Sequence, residues 1–585
     1  MVQIKWLWDN LKGYRKKYIA ALFLSVLCNI LYITSPYFQS RIVDTFISNE
    51  HAAENLLQKR SLLLWLIAGM IFFTVVRVCF QYTCNMYYET ASQGMIYRIR
   101  TSLFRHIENQ DMEFYDTFRT GDLMTRMTGD LDLCRHMVSW VIKGVVESAA
   151  LFLASMVYFF VIDWRTALCI LAVTPFIFII TRLLSREAGP AHAAVWEKSS
   201  ALNTAAQENI SGNRVVKAFA REAYEIQRFS EKNTEYAVAN KKAAMIWLKY
   251  QPFMDFAAGA LSIVLLLCGG LFMINRHLTM GQYIAISGLL WAVSNPMRNM
   301  GSYVNDFNRF LASAGKIMEI CEVSPKVVDR KEAVETRERL KGEVEFRDVT
   351  FQIENKEILD HISFKIPAGK TCAVMGATGS GKTSLINLIP RLYDVEQGEV
   401  LIDGINVKNY KLKDLRKNIG IAAQDVLLYS DTIDGNIAFG DSSLSEEEVI
   451  QCAELSDADE FIRELPRQYE TIVGERGVGL SGGQKQRISL ARAIAIKPAI
   501  LILDDTTSAV DMETEALIQD SLKNDLGFPC TKIIIAQRIS SAKNADQIII
   551  LEDGRITDIG RHEELIRRDG YYRQIYELQS GNTVD

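Results

Sequence analysis

Apolar residues are concentrated in the first half of the chain, where they form runs long enough to cross a membrane. A helix needs about 20 mostly apolar residues to span the hydrocarbon core of a bilayer. Candidate runs are Tyr18–Tyr37, Ser61–Tyr82, Val141–Ile162, Thr166–Leu184, Phe253–Ile274 and Gly281–Met300. The last run is the weakest, because Asn295, Pro296 and Arg298 interrupt it. The pattern predicts an all-α polytopic membrane domain with six transmembrane helices.

The basic N-terminus sets the predicted orientation of these spans. An even number of spans places both ends of the chain on one side, and the positive-inside rule makes that side cytoplasmic. The basic residues are Lys5, Lys12, Arg15, Lys16 and Lys17. Trp6, Trp8 and Leu11 among these charges are typical of an interfacial helix. We therefore expect a multi-pass cell-membrane protein with both termini cytoplasmic.

Two polar stretches between the spans are too long to be simple loops. Cys84–Trp140 and Ser185–Gln251 carry helical periodicity and many charges. We expect spans two to five to continue as long helical extensions into the cytoplasm. Their tips, near Arg119–Leu123 and Glu222–Phe229, would touch the soluble part of the chain. The alternative is a pair of independent cytoplasmic subdomains, although neither stretch has strand signals or its own core.

The second half of the chain has the pattern of a soluble α/β domain. A charged segment, Ser324–Lys341, is typical of a linker. Val344–Phe346 and Val349–Phe351 alternate as strands do, and Thr371–Met375 is a short apolar strand. The predicted domains are a membrane domain at 1–323, a linker at 324–341 and an α/β P-loop nucleotide-binding domain at 342–585.

Composition and charge exclude some alternatives. The net charge of −5 over 585 residues argues against nucleic acid as a main partner. Ten cysteines are scattered singly, without metal-ligand or disulfide spacing. They are interpreted as core or membrane residues in a reducing compartment.

A glycine-rich loop follows the strand at Thr371–Met375 and has the pattern that binds nucleotide phosphates. Its residues are Gly376, Ala377, Thr378, Gly379, Ser380, Gly381, Lys382 and Thr383, followed by Ser384. Glycines let backbone N–H groups turn toward the phosphates, and the next helix adds positive potential at its N-terminus. We expect Lys382 to reach the β and γ phosphates and the Thr383 hydroxyl to bind Mg²⁺. ATP and Mg²⁺ are the predicted cofactors.

Two further segments are predicted to complete nucleotide sites. The apolar strand Ala499–Leu503 ends at Asp504, a position typical of the carboxylate that accompanies Mg²⁺. A second phosphate cradle opens a helix, with Arg487 after it; its residues are Ser481, Gly482, Gly483 and Gln484. This cradle is too far along the chain to belong to the first, and it suits a γ-phosphate presented by another subunit.

The ordered set of motifs resembles an ATP-binding cassette exporter half-transporter over essentially the whole chain. Gly376–Thr383 resembles the Walker A loop, and Leu480–Gln484 matches the family signature. Gln424 resembles the Q-loop glutamine that contacts Mg²⁺ and senses the membrane domain. Thr471–Gly477 and Ser508–Asp511 resemble the exporter segment beside the signature and the D-loop. The family implies that two halves pair head to tail, each signature closing the other half's ATP site.

Three residues depart from the family pattern. Asp505 stands where the family usually has the catalytic Glu, and its carboxylate reaches one methylene less far. Gln537 replaces the switch His, and a neutral amide cannot become a cationic donor. Ile353 occupies the position of the Tyr that commonly stacks on adenine, so adenine contact would be aliphatic or supplied by Phe351. Neutral drift with full activity is the alternative interpretation.

These departures resemble the degenerate-site subunit of a heterodimeric multidrug-type exporter. The resemblance implies a non-identical partner half-transporter with an intact catalytic Glu and switch His. Asp505, Gln537 and Gln424 would form the catalytic part of the degenerate site, with Thr383, Gln424 and Asp504 near the metal. An active homodimer, a regulatory nucleotide-binding subunit and an importer remain alternatives.

The substrate is weakly specified by the sequence. A pocket for small amphipathic drugs or lipids could use aromatic and methionine side chains of the second and sixth spans, although facing membrane lipids explains them equally well. These residues are Trp65, Phe72, Phe73, Trp291, Met297 and Met300. Arg77 and Asp255 lie near or within spans and are functional candidates, unless they sit at span ends where snorkelling removes most of the cost.

Overall fold

A computed structural model of the chain describes residues 2–48, 60–336, 338–353, 356–474, 477, 479–506 and 511–580. The chain divides into two compact units. The first consists of Met1–Glu108 and Arg119–Val323, and the second of Asn109–Phe118 and Ser324–Asp585. The predicted domain limits stay predictions, although the passage from one unit to the other after Val323 lies at the predicted start of the linker.

The first unit is helical throughout its described secondary structure. Its helices are α1 (Val2–Asn10), α2 (Arg15–Leu31), α3 (Thr34–Phe46), α4 (Arg60–Glu108), α6 (Thr120–Thr125), α7 (Leu131–His136), α8 (Ile142–Ile162), α9 (Trp164–Ser211), α10 (Asn213–Ala218), α11 (Glu222–Val264), α12 (Gly270–Ile274) and α13 (Met280–Glu322), with α5 (Met112–Thr117) in the second unit. π-helical turns at Arg126–Asp130, Met137–Val141 and Leu265–Gly269 each connect two α-helices without a break in the helical path.

Five helical stretches are long and apolar enough to cross a membrane. They are Arg15–Phe46, Arg60–Glu108, Thr120–Ile162, Trp164–Ser211 and Glu222–Ile274. Each contains one of the first five predicted spans. The sixth predicted span lies in α13. Among the described residues, α13 does not meet the combined length and hydropathy criteria that the other five stretches meet, so the count of six stays a prediction.

The polar stretches between spans are helical extensions, as predicted. α4 has 49 residues and α9 has 48, which is more than twice the length that a bilayer requires. The expected tips near Arg119–Leu123 and Glu222–Phe229 stay predictions. The helix α4 ends at Glu108, and α5, N-capped by Asp111, belongs to the second unit, while Arg119–Leu123, which follows α5 closely, belongs to the first. At the other end of the extensions, α10 separates α9 from α11.

The core of the first unit forms where four long helices meet. Phe159 of α8, Ile170 of α9, Leu261 of α11 and Leu289 of α13 are buried in one apolar cluster. Burying such side chains contributes about 1.5–3 kcal/mol each in water, but in lipid the close packing itself holds helices together. The cluster therefore fixes the relative positions of these helices.

The second unit contains two sheets. The strands are β1 (Val344–Ile353), β2 (Lys356–Ile366), β3 (Thr371–Met375), β4 (Gln397–Ile402), β5 (Ile405–Asn406), β6 (Ile419–Ala422), β7 (Ile500–Asp504), β8 (Thr531–Ile535), β9 (Gln547–Glu552) and β10 (Arg555–Gly560). An antiparallel sheet has the order β2-β1-β4-β5, and a second sheet has the order β10-β9-β3-β8-β7-β6. From β9 to β6 the second sheet is parallel, so the carboxyl ends of β3, β6, β7 and β8 share one edge.

Helices surround these sheets. They are α14 (Lys382–Leu388), α15 (Leu412–Lys417), α16 (Ile433–Ile437), α17 (Glu446–Leu455), α18 (Asp459–Glu464), α19 (Gly482–Ala495), α20 (Met512–Asn524), α21 (Ile539–Ala542), α22 (His562–Leu565) and α23 (Tyr571–Ser580). The predicted linker packs on this unit in its described part. Leu340 is buried in the sheet core, and the Arg339 guanidinium donates to the Pro498 and Pro529 carbonyls at 2.7 Å each.

Candidate functional site

The loop between β3 and α14 is shaped by three glycines with positive φ. A Cβ on Gly376 (φ 155°) would lie 2.0 Å from the Leu551 carbonyl oxygen, so the strand–loop junction admits only glycine. Gly379 (φ 84°) faces open space within 4 Å, and Gly381 has φ 99°. Ala377 and Thr378 are exposed, whereas Ser380 is buried. The loop therefore presents open backbone to an approaching anion at the start of α14.

Lys382, the first residue of α14, folds back into this loop. Its Nζ donates to the Gly376 carbonyl at 2.9 Å and to the Ala377 carbonyl at 2.7 Å. Burial lowers the pKa of Lys382, although the carboxylates of Asp504 and Asp505 oppose that shift. The ammonium group is thus held within the loop and can exchange carbonyl oxygens for phosphate oxygens. Ser384, the third residue of the helix, is half-buried.

Oxygen atoms suited to a hard cation lie beside this lysine. The Thr383 hydroxyl donates to the Asp504 carboxylate at 3.5 Å, and Asp504 is only 6% exposed. Burial, together with the neighbouring charge of Asp505, raises the pKa of Asp504. A partly desolvated carboxylate next to a hydroxyl fits Mg²⁺, which binds one or two protein oxygens and substrate phosphates.

Gln424 lies just after β6, and it is exposed. β6 pairs in parallel with β7, which ends at Asp504, so both side chains belong to the same sheet edge. The charge of its neighbour Asp425 contributes to the raised pKa of Asp504. The fold therefore brings the glutamine segment to the metal side of the candidate site.

Asp505 and Gln537, the two predicted catalytic residues that depart from the family pattern, lie in contact. The Gln537 Nε2 donates to the Asp505 Oδ2 at 2.8 Å. Asp505 follows β7 with a left-handed φ of 49°, and its N–H donates to the Ile535 carbonyl at 3.3 Å. Because β7 and β8 are neighbours, the residues that follow them meet at the sheet edge. The carboxylate is thus engaged by an amide that carries no charge.

The second cradle is formed by a capped helix start. The Ser481 hydroxyl accepts from the Gln484 N–H at 3.2 Å, and the Gln484 side-chain oxygen accepts from the Ser481 N–H at 2.9 Å. This capping box orders the start of α19. Ser481 and Gly482 are exposed and Gly483 is buried. An exposed, ordered helix N-terminus is suited to bind a phosphate from another molecule.

The structure corrects one expectation about adenine contact. Phe351 is 2% exposed and packs against Tyr393 at 5.5 Å between ring centroids, so it cannot supply an aromatic platform. Ile353 is the last residue of β1 and is half-buried against the sheet core. Residues 507–510 and 475–476, within two of the predicted motifs, lie outside the described residues.

The sequence did not predict three polar side chains that contact the segments carrying Asp505 and Gln537. Gln486 of α19 is buried, and its Nε2 lies 3.5 Å from the Asp505 carbonyl, to which it donates. Glu515 is buried beside the segment after β8, and Gln579 bonds to that segment's backbone. For Glu515 the sequence offers one signal, because its carboxylate lies on the apolar face of α20. Gln579 offers none, since it lies in a helix whose residues match no motif.

Comparisons with known proteins agree with this geometry. Residues 18–297 match the model of the ABC transporter transmembrane region, and residues 359–508 match the ABC transporter model. The chain is 35% identical over 97% of its length, and 95% of the relative, to the Uncharacterized ABC transporter ATP-binding protein YknU of Bacillus subtilis (strain 168). It is 33% identical over 88% of its length, and 86% of the relative, to an ATP-dependent lipid A-core flippase of Syntrophus aciditrophicus (strain SB).

A solved structure is similar across both units. The structure of a bacterial Atm1-family ABC exporter with ATP bound matches 97% of this chain and 100% of its own, with a TM-score of 0.81 and 25% identity. The two chains therefore share the same fold over nearly their whole lengths.

Proposed function

The chain belongs to the ABC transporter family as an exporter, with a helical membrane domain and an ATP-binding domain, and we propose that it is the degenerate-site subunit of a heterodimer. In this proposal its own Walker site binds ATP with Mg²⁺ but cleaves it poorly. Its signature segment completes the competent site of a non-identical partner, which supplies the catalytic Glu and switch His.

The observation that carries the proposal is the Asp505–Gln537 contact. An attacking water must be oriented by a carboxylate of correct reach, and a misplacement of about 1 Å can cost on the order of 10²-fold in rate. Here the shorter carboxylate accepts a hydrogen bond from Gln537 at 2.8 Å. The amide can donate to a phosphate oxygen but cannot supply positive charge. Both changes weaken the same chemical step.

The remaining residues of the site are suited to hold nucleotide. Lys382 would bind β- and γ-phosphate oxygens, while Thr383, Asp504 and Gln424 would surround Mg²⁺, which neutralises phosphate charge when bound. Ile353 would give adenine an aliphatic contact. The phosphate-binding part of the site thus keeps its function, whereas the water-orienting part has lost reach and charge.

The signature segment would act on the partner's nucleotide. Ser481 is exposed at the N-terminus of α19, where the hydroxyl and free N–H groups can meet a γ-phosphate. ATP binding would close the paired domains and hydrolysis at the competent site would reopen them. The cytoplasmic extensions would carry this motion to the spans, giving alternating access with both termini cytoplasmic.

We infer that the transported molecule is a small amphipath such as a drug or lipid. An apolar cavity of about 560 Å³ lies within the first unit, and Met297, Met300 and Phe307 of α13 and Phe152 of α8 contribute to its wall. Cavities of this size bind drug-sized ligands. Trp65 and Phe72 are 76% and 61% exposed in this chain, which suits contact with lipid rather than with substrate.

The experiment restores the two family residues. The full-length double variant Asp505→Glu/Gln537→His, in lipid nanodiscs, should hydrolyse ATP at least tenfold faster than the parent, because it combines a restored Walker site with an intact signature. The matched control is Asp520→Glu/Gln574→His, the same side-chain changes at exposed positions, which should leave turnover unchanged. Equal turnover of parent and double variant would reject the proposal.

One observation favours a second candidate function, that of an active homodimer. Asp505 retains a carboxylate, which can still accept a proton from water. In that case the parent chain alone already hydrolyses ATP rapidly and Asp505→Asn abolishes the activity.

A third alternative is a regulatory subunit without a transport path. For such a subunit we expect that no photoreactive substrate labels the cavity beside α13.

A further inference from the structure

The segment that carries Gln537 is bonded to the last turn of the C-terminal helix. The side-chain amide of Gln579 in α23 donates from Nε2 to the Gln537 carbonyl at 3.1 Å. Its Oε1 accepts from the Ile539 N–H at 2.9 Å. One side chain therefore satisfies the backbone on both sides of Arg538, in the way that a neighbouring strand would.

The same segment also contacts a buried carboxylate. Glu515 of α20 is 2% exposed and accepts a hydrogen bond from the Ser541 hydroxyl of α21. The Arg538 guanidinium lies 3.7 Å from the second carboxylate oxygen of Glu515. The segment that follows Gln537 is thus contacted through the backbone of Ile539 and through the side chains of Arg538 and Ser541.

The helix that carries Gln579 is itself anchored. Tyr572 of α23 is buried with Leu565 and with Ala542 of α21 in one apolar cluster, and its hydroxyl lies 2.6 Å from the His562 Nδ1. A helix packed in this way is a fixed support for a side chain on its last turn. Gln579 can therefore transmit the position of α23 to the segment after β8.

We propose that Gln579 is a positioning residue that sets how far the Gln537 side chain reaches into the nucleotide site. Its bond to the Gln537 carbonyl fixes the backbone from which the side chain extends, and that side chain ends 2.8 Å from Asp505. The inference rests on the proposed function only in that Gln537 faces the γ-phosphate. It adds the C-terminal helix to the groups that determine nucleotide binding.

The first test is hydrogen exchange of the full-length chain in nanodiscs. Gln579→Ala should speed exchange at the Ile539 N–H by roughly two- to tenfold, the range expected for one lost hydrogen bond. Gln574→Ala is the matched control, because it removes the same side chain from an exposed position of the same helix. Unchanged protection at Ile539 in Gln579→Ala would overturn the proposal.

The second test separates positioning from a merely structural role. Displacement of a fluorescent ATP analogue by Mg·ATP should show a two- to tenfold weaker affinity for Gln579→Ala, and this loss should vanish when Gln537→Ala is already present. Gln579→Glu keeps the acceptor for Ile539 but loses the donor to Gln537, so it should weaken affinity while preserving protection. An unchanged affinity, or a loss of equal size in the Gln537→Ala background, would contradict positioning.

These outcomes are independent of the test of the proposed function. Exchange and affinity are measured on this chain without turnover. If restoring Glu and His fails to raise turnover while the Gln579 effects appear, the degenerate-site proposal fails and the positioning role stands. The converse result rejects only Gln579.

Discussion

Two phosphate-facing regions of the nucleotide-binding domain differ in what they retain. The signature segment around Ser481 keeps the family residues and an ordered capping box. The Walker region keeps its loop and Lys382, but Asp505 and Gln537, which share a hydrogen bond, depart from the family pattern at the two positions that we propose to be water-orienting. In the proposed account, binding and cleavage are separable within one site, because phosphate would be held by the loop and water would be oriented by the residues that follow β7 and β8.

Loss of the signature hydroxyl should have the greatest effect on turnover. In the complex with its partner, Ser481→Ala should lower ATP turnover by on the order of 10²-fold, the cost of one lost donor to transition-state charge. Lys382→Ala should lower it only a few fold, because it acts at the unproductive nucleotide. Steady-state phosphate release measures both.

A matched control isolates the loss of the helix cap. Ser445 forms a similar capping box at the start of α17, and Ser445→Ala costs about 1 kcal/mol of helix stability without removing a phosphate contact. Its turnover should equal that of the parent complex. Equal damage from Ser481→Ala and Lys382→Ala would contradict the asymmetric account.

A smaller effect is expected at the adenine side of the Walker region. Ile353→Tyr offers a ring where the chain has an aliphatic residue, and stacking on a base contributes about 1–3 kcal/mol. Affinity for Mg·ATP should rise by on the order of tenfold, measured by equilibrium binding to the full chain. Gln352→Tyr places the same ring on the other face of the strand and should leave affinity unchanged; equal gains would show that Ile353 is not at the adenine.

The smallest effect concerns stability. Burial and Asp505 raise the pKa of Asp504, so the folded state binds this proton more readily than the unfolded state does. That contribution to stability is present at acidic pH and is lost as pH rises through the raised pKa. Asp504→Asn should therefore raise the Tm of the nucleotide-free chain at pH 7.5, by roughly 2–4 °C if about 1 kcal/mol is recovered.

Acidic pH provides the check on that prediction. The difference in Tm between Asp504→Asn and the parent should shrink as the pH is lowered from 7.5 toward the raised pKa, because the parent carboxyl gains its proton there. Differential scanning calorimetry at pH 7.5 and at an acidic pH measures it. A gain in Tm that is the same at both values would show that charge is not its cause.

Much of the architecture could be predicted because its signals are local. Apolar runs predict the helices that cross a membrane, and Gly376–Thr383 predicts the phosphate loop after a strand. The break between α4 and α5, where Asp111 caps α5, lies inside a polar stretch whose charge and periodicity do not mark it. The Asp505–Gln537 contact and the role of Gln579 depend on strands and helices distant in sequence. No local pattern encodes these pairings.

The central claim is that this chain's own Walker site turns over ATP poorly. The most direct measurement is the ATP hydrolysis rate of the full-length chain in nanodiscs, purified without a companion subunit and assayed beside a symmetric ABC exporter. The account predicts a rate at least 10²-fold below that exporter, since a misaimed group costs on the order of 10²-fold. A rate equal to that of the symmetric exporter, abolished by Asp505→Asn, would contradict it.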